Sequence, residues 1–445
     1  MSNGNENIME NMNIKKLSLK MATPMVISML SLALYNLVDS IFVSNIGNSA
    51  LTAISLAYPI QAIITAIALG TSIGVNSLIS RKLGEKDKIT ANKTSVNGII
   101  LIFLSYIFVA LLSCVLIKPL LSLFTKDSTT LNYTNTYLSI CIMFSFGLSF
   151  QILFEKISEA YGKTVYSMLI QFIGAIINLI LDPLLIYGWK FIPGFGIKGA
   201  AIATVIGQVS GMVLGIILLY KRYIKLELKC FKLDKRIVSD IYKVGFPTII
   251  SESLAAFVSL ILNKLLISFS EYAVPLFGIY NKVQSFIFMI VYGFNYGMIP
   301  IVGYNFGAKK YLKMKKVIKL FLVYAEVIMI LGIIIFVFGG NVIFNIYSAD
   351  TEIIKIGIFA FRVLSIGFIF AGVSLVLSSV FQAIGKGKYS LIIYLFRQLI
   401  INIPVIWALS YTKNIQLIWF VFVISEIIAM IVSFLIYKKE VKKLS

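Results

Sequence analysis

The chain has 445 residues, 59% of them hydrophobic and 13% charged, against about 45–50% and roughly 25% in a soluble domain. Mean hydropathy is +0.93, and a water-soluble core of this length cannot enclose so much apolar surface while keeping its outside wetted. The net charge of +21, from 40 Lys+Arg against 19 Asp+Glu, would suggest nucleic acid in a soluble chain, but here the bases lie in short segments between apolar runs, so nucleic acid is not an expected partner.

Residues 1–20 are polar, lack a small-residue cleavage pattern, and read as a segment preceding a retained first helix. Runs of about 20 apolar residues follow. Six centre near Leu32, Thr65, Phe108, Phe144, Ile176 and Val209, and six near Phe257, Met289, Ile330, Phe368, Ile400 and Ile427. The expected division is an N-lobe over 21–220, a basic connector over 221–243, a C-lobe over 244–437 and a tail over 438–445. Runs such as Asn97–Ile117 and Leu320–Phe338 are too continuously apolar for the alternating strands of a membrane barrel. The fold class is therefore an all-α integral membrane protein of twelve transmembrane helices.

Twelve spans put both termini on one side. The termini and even-numbered loops hold 30 bases, two of them after the fourth span, and the odd-numbered loops hold six (Lys118, Lys126, Lys190, Lys198, Lys355, Lys413). That asymmetry predicts cytoplasmic termini and explains the net charge. Another four bases, Lys264, Lys282, Arg362 and Arg397, fall inside spans. The connector reads as a plain cytoplasmic link.

A shift of 223 residues brings the halves into match at residues that punctuate structure. Pro24 meets Pro247, Ser28 meets Ser251, and Gln61 meets Gln284. Gly70, Gly74 and Gly84 meet Gly293, Gly297 and Gly307, and AYGKTVYS (160–167) meets AIGKGKYS (383–390). A six-helix shift preserves orientation, so the repeats are parallel, and two such lobes face each other in many alternating-access carriers. A channel is less favoured, since channels usually ring one pore with subunits.

Histidine is absent, and Cys114, Cys141 and Cys230 form no CxxC pair, which argues against a zinc site, haem or a disulfide framework. No cofactor is expected. GxSxG and GxxxxGK[ST] are missing too, so neither an enzyme nor an ATP-driven pump is supported. Ionisable residues inside spans carry the functional signal, because lipid penalises them. Asp39 lies deep in the first span. Asn178 and Asp182 are four apart on one face of the fifth, just before Pro183, whose missing amide hydrogen can free a backbone carbonyl. Two carboxylates and an amide oxygen suit a proton or a small hard cation such as Na+, and paired carboxylates that repel can exchange a proton. The alternative for Asn178 and Asp182 is plain hydrogen bonding between helices.

The second half does not repeat this pair: Asp39 falls on Leu262 and Asp182 on Val405. It carries Glu252, which pairs with a base or contacts a cationic substrate, Gln284, and Arg397, read as an organiser of the lobe ahead of a substrate contact. Lys264 and Lys282 read as snorkelling bases. Glu326 and Glu426 have no partner legible in the sequence.

NLVDSIFVSNIG, ALTAISLAYPIQ, INLILDPLLI, GIKGAAIATVIGQ, IYNKVQSFIFMIVYGFNYGMIPIVGYNFGAKK and FQAIGKGKYS together resemble the multidrug and toxic compound extrusion (MATE) family, nearest its bacterial branches, from about Lys16 to the last helix. The resemblance implies a V-shaped antiporter of a bacterial cell membrane, acting as a monomer, that exports cationic amphipathic drugs or dyes against Na+ or H+. It places the ion site at Asp39, Tyr137, Asn178, Asp182 and Thr204, a helix bend at Pro24, and an arginine of the eleventh helix at Arg397. Glu155 and Gln61 join Glu252, Gln284 and Arg397 as cavity candidates. SEAYGK, with Glu159, departs from members that have an arginine before the small turn. A flippase for a lipid-linked saccharide is the rival reading; its anionic cargo calls for a cavity lined by several bases.

Overall fold

The computed structural model of the chain describes residues 8–124, 127–190, 192–220, 232–347, 350–412 and 414–442. Cys230, Lys126, Lys413, the ends of the terminal segments and residues 221–231 of the connector lie outside the described residues. The elements run α1 (Ile8–Asn11), α2 (Ile14–Ser44), α3 (Asn48–Gly84), α4 (Lys88–Phe124), α5 (Ser128–Met143), α6 (Phe146–Ala160) and α7 (Thr164–Ile186). A two-residue hairpin, β1 (Gly188–Trp189) with β2 (Ile192–Pro193), leads to α8 (Ile197–Leu219). Then come α9 (Lys235–Ile267), α10 (Ala273–Gly307), α11 (Tyr311–Ile346), α12 (Thr351–Ala383), α13 (Gly387–Leu395), α14 (Asn402–Leu409) and α15 (Ile415–Lys442).

Among the described residues, eleven stretches are long and apolar enough to cross a membrane, and α5 with α6 makes a twelfth. The all-α, twelve-span class is therefore the observed one, with two refinements. The fourth span is broken where its centre was expected: the chain leaves the helix at Phe144 and Ser145 and bends by 49°. Apolar residues continue through the break, so hydropathy alone reads one helix; past it, Gly147 seats α6 against Val209 of α8. The eleventh span is split by a π-helical turn at Phe396–Ile400. Pro404 has no amide hydrogen for the Ile400 carbonyl, and the ladder slips there. By contrast α2 runs unbroken through Pro24 and α7 through Pro183.

The repeat offset is written into the packing between the lobes. A Cβ at Gly70 would lie 2.5 Å from Ile249, and one at Gly293 would lie 2.6 Å from the Val26 backbone; Val26 and Ile249 are themselves 223 apart. Gly84 and Gly307 repeat the relation more tightly, at 2.1 Å from the Tyr304 carbonyl oxygen and 2.0 Å from that of Arg81. Backbones approach this closely only where side chains are absent. All these contacts lie in the helix halves nearest the chain termini. There α2 buries Leu17, Ser18, Met21, Ala22, Pro24 and Met25, whereas farther along Leu34, Leu37 and Ile41 are exposed. The lobes are thus closed at the terminus-bearing end and part toward the other.

A short clasp spans that closed end. Met9 is buried beside Gly162 of the α6–α7 turn. Glu10 accepts from Lys310 at 3.1 Å, and Lys313 donates to the carbonyls of Met9 and Glu10 at 3.0 Å each. The Lys310 hydrogen bond, with the charges of Lys310 and Lys86, holds the Glu10 carboxyl below its ordinary range. Its contribution is therefore full above that range and fades as pH falls through the lowered value. Glu10→Gln is expected to speed amide exchange of residues 9–13 at neutral pH in hydrogen-exchange mass spectrometry; unchanged protection contradicts the clasp.

Candidate functional site

Six residues singled out in the N-lobe come together from five helices. α2 brings Asp39, α3 Gln61, α5 Tyr137, α7 Asn178 with Asp182, and α8 Thr204. The helices can meet because glycine faces glycine: a Cβ at Gly207 would lie 2.6 Å from the Gly174 carbonyl oxygen and 2.9 Å from Asn178 Cβ. Asn178 Nδ2 then donates to Asp182 Oδ1 at 3.3 Å and to Thr204 Oγ1 at 3.5 Å. The Asp39 and Asp182 carboxyls lie within hydrogen-bond reach of each other, and Tyr137 reaches Gln61. Asp182, Asn178, Thr204 and Tyr137 are buried, while Asp39 is half-buried.

Three oxygens here, Asp39 Oδ1, Asp182 Oδ2 and Asn178 Oδ1, are buried without a donor. Buried polar atoms are nearly always satisfied, and two ionised carboxylates in contact repel. A shared proton or a small hard cation removes both difficulties. The interhelical hydrogen bonding weighed as an alternative is present as well, in the Asn178 contacts, but it leaves these three oxygens unexplained.

The other candidates fall into two places. At the lobe junction, Glu155 accepts from Gln151 at 3.0 Å. Glu159 accepts from Lys156 at 2.8 Å, Asn76 at 3.0 Å and Ser167 at 3.2 Å. Both carboxylates are buried in the protein rather than turned to the polar end. Lys156, one of the two bases assigned to the loop after the fourth span, lies inside α6 and is itself buried. Its ammonium sits 3.4 Å from the centroid of Tyr296 on α10, across the lobes. Glu252 of α9 is exposed and lies near enough to Tyr292, Tyr296 and Tyr394 to act on them electrostatically.

In the C-lobe, Arg397 donates from Nε to Glu426 Oε1 at 2.6 Å and lies over Phe288. Glu426 is thus the carboxylate that Arg397 organises. Gln284 donates to Tyr280 at 2.9 Å and, with Glu426, Asn402 and Phe368, lines a small cavity of about 60 Å³. Removing one partner of a buried ion pair typically costs about 3–5 kcal/mol. Glu426→Gln is accordingly expected to lower the melting temperature in scanning fluorimetry, with Arg397→Gln added to it recovering part of the loss; a single variant as stable as the parent contradicts this.

Sequence reading missed Tyr35, Cys141, Lys156 and Tyr296. Tyr35 precedes Asp39 by four residues and reaches Thr204, while Cys141 follows Tyr137 by four and lies beside it. Same-face spacing would have found both. Nothing local marks Lys156 as buried, since it sits among the polar residues Glu155, Ser158 and Glu159.

The MatE family model matches the chain twice, over residues 24–184 and 247–408. Multidrug export protein MepA of Staphylococcus haemolyticus (strain JCSC1435) is 28% identical over 435 residues, covering 96% of this chain and 94% of that protein. A multidrug resistance MATE family transporter of the MOP superfamily, solved in an outward-facing conformation, matches with a TM-score of 0.92 at 26% identity over 99% of each chain. So does a MOP superfamily transporter from Pyrococcus furiosus, described as having a binding pocket of reverse polarity that suggests a different function, at TM-score 0.92, 25% identity and 99% of each chain.

Proposed function

This chain belongs to the MatE family, and on that premise we propose that it is a secondary active multidrug efflux antiporter, exporting cationic amphipathic compounds in exchange for Na+ or H+. The observation that carries the reading is the contact pair Asp39–Asp182 with its three donor-less oxygens. The basic residues favour a cytoplasmic terminus-bearing end, so the present closure faces the cytoplasm and the cleft opens outward.

In this state an ion arrives from outside and settles between Asp39 and Asp182. It removes their repulsion, and α2 relaxes about Pro24. With the negative charge neutralised, the bound organic cation is held less tightly and leaves. The lobes then part at the terminus end, the ion is released, and a new cation enters. Each charge moved down the membrane potential supplies about 2.3 kcal/mol per 100 mV.

A carrier of an anionic lipid-linked saccharide is the second reading, and the reverse-polarity relative gives it weight. Charge in the cleft opposes it. Lys156 is paired with Glu159 and Arg397 with Glu426, so these two buried bases are already matched by carboxyls and are not free to receive an anionic cargo. Efflux of ethidium from right-side-out vesicles, under a sodium gradient and a pH gradient applied separately, tests the proposal. One gradient alone should drive efflux. If neither gradient moves ethidium or other lipophilic cations, the antiporter reading fails and the saccharide carrier leads.

A further inference from the structure

Resting on the antiporter reading, we infer that Tyr296 and Glu252 form an ammonium site on the C-lobe wall of the cleft, and that Lys156 is its built-in competitor. The side chain fills the site while the terminus-bearing end is closed and vacates it for a cationic substrate when that end opens.

The closed state shows the site occupied. The Lys156 ammonium lies 3.4 Å from the Tyr296 ring centroid, and the lysine as a whole is 3% exposed. An ammonium over a ring face, removed from water, is the arrangement by which proteins hold organic cations. Tyr292 stands one turn before Tyr296, and Glu252, Glu159 and Glu155 all act electrostatically on the Tyr296 hydroxyl. Carboxyl groups thus outnumber the one ammonium there, and Glu159 is the one in contact with it.

The two partners ride on different lobes. Lys156 and Glu159 are three apart on α6 and bonded at 2.8 Å, so they move together with the N-lobe. Tyr296 on α10 lies between Gly293 and Gly297, whose backbones pack on Val26 and Ala22 of α2. Parting the lobes at this end breaks those contacts and lifts Lys156 off the ring. Tyr296 and the exposed Glu252 then face the new opening without the lysine, while Tyr292 stays bonded to Arg397 on its own lobe. Closure brings the lysine back, and its ammonium displaces the substrate's charge toward the opposite side. Lys156 thereby couples closure to expulsion without touching the coupling ion.

The test is equilibrium binding of ethidium to the purified full-length protein, read by fluorescence anisotropy. Lys156→Met is expected to tighten binding about tenfold, the scale of one desolvated cation–π contact, while slowing export in vesicles. Tyr296→Leu is expected to weaken binding about tenfold, whereas Tyr296→Phe, which keeps the ring, stays within about twofold. If Lys156→Met fails to fold because Glu159 is left unpaired, the Lys156→Met/Glu159→Gln variant removes both charges and should bind tighter than the parent. Unchanged or weaker binding without Lys156, or equal affinities for the Leu and Phe variants, overturns the inference while leaving the antiporter reading intact. A parent protein that binds no ethidium, or any other lipophilic cation, overturns both.

Discussion

Asp39→Asn is expected to abolish gradient-driven export of cationic dyes while leaving the protein folded and inserted. The amide has nearly the shape of the carboxyl and can still bond Asp182, so packing around Tyr35 and Tyr137 is preserved. The negative charge that draws in a proton or Na+ is gone, and with it the repulsion that the ion relieves. An ion that no longer distinguishes two conformations cannot shift their balance, however steep its gradient. Coupling between sites is typically worth 5- to about 150-fold, so initial efflux rates in vesicles should fall about 100-fold. Removing the repulsion should also raise the melting temperature measured without coupling ion, which separates lost coupling from lost folding. A variant that exports at half the parent rate or more contradicts the assignment.

Gly307→Val is expected to have a comparable effect by a different route. Even the first atom of the new side chain would lie 2.0 Å from the Arg81 carbonyl oxygen, a backbone atom that no rotamer change can move. The Gly84–Tyr304 contact beside it is equally tight, so the end that carries the termini cannot close as it does here. The variant should remain open there and lose export about 100-fold, the upper scale of site-to-site coupling. Ser77 reports on this directly. It is buried at the junction and donates to the Gln382 carbonyl at 2.6 Å. In a background without the native cysteines, Ser77→Cys should resist a water-soluble maleimide and become reactive once Gly307→Val is added. Gly278→Ala, where nothing lies within 4 Å of the new Cβ, should export normally. Undiminished export by Gly307→Val would show that this closure is not part of the transport cycle.

Much of the architecture was legible because lipid imposes a simple rule on sequence. Spans announce themselves by length and hydropathy, and the 223-residue offset picked out Gly84 and Gly307, which pack against Tyr304 and Arg81 of the opposite lobe. Other features were hidden for physical reasons. The break at Phe144 lies within unbroken apolar sequence, and what it does depends on Val209, distant in the chain. Lys156 looks like a loop base, since its burial is decided by Tyr296 on the other lobe. Glu426 had no visible partner because Arg397 precedes it by a whole helix. In the N-lobe, Asp39, Asn178 and Asp182 stood out as polar groups in apolar runs, whereas Tyr137 and Thr204 were reached only through family resemblance. Aromatic and hydroxyl side chains are too common in spans to mark a site.

The central claim is that an ion between Asp39 and Asp182 and an organic cation in the cleft oppose one another. Its most direct test is the affinity of the purified protein for ethidium, measured while sodium concentration and pH are varied separately. Linkage requires that if the coupling ion weakens dye binding, the dye weakens ion binding by the same factor. The account predicts that ethidium affinity falls as one of the two ions is added, and that this dependence disappears in Asp39→Asn. Ethidium binding that ignores both ions, or that keeps its ion dependence in Asp39→Asn, would contradict it.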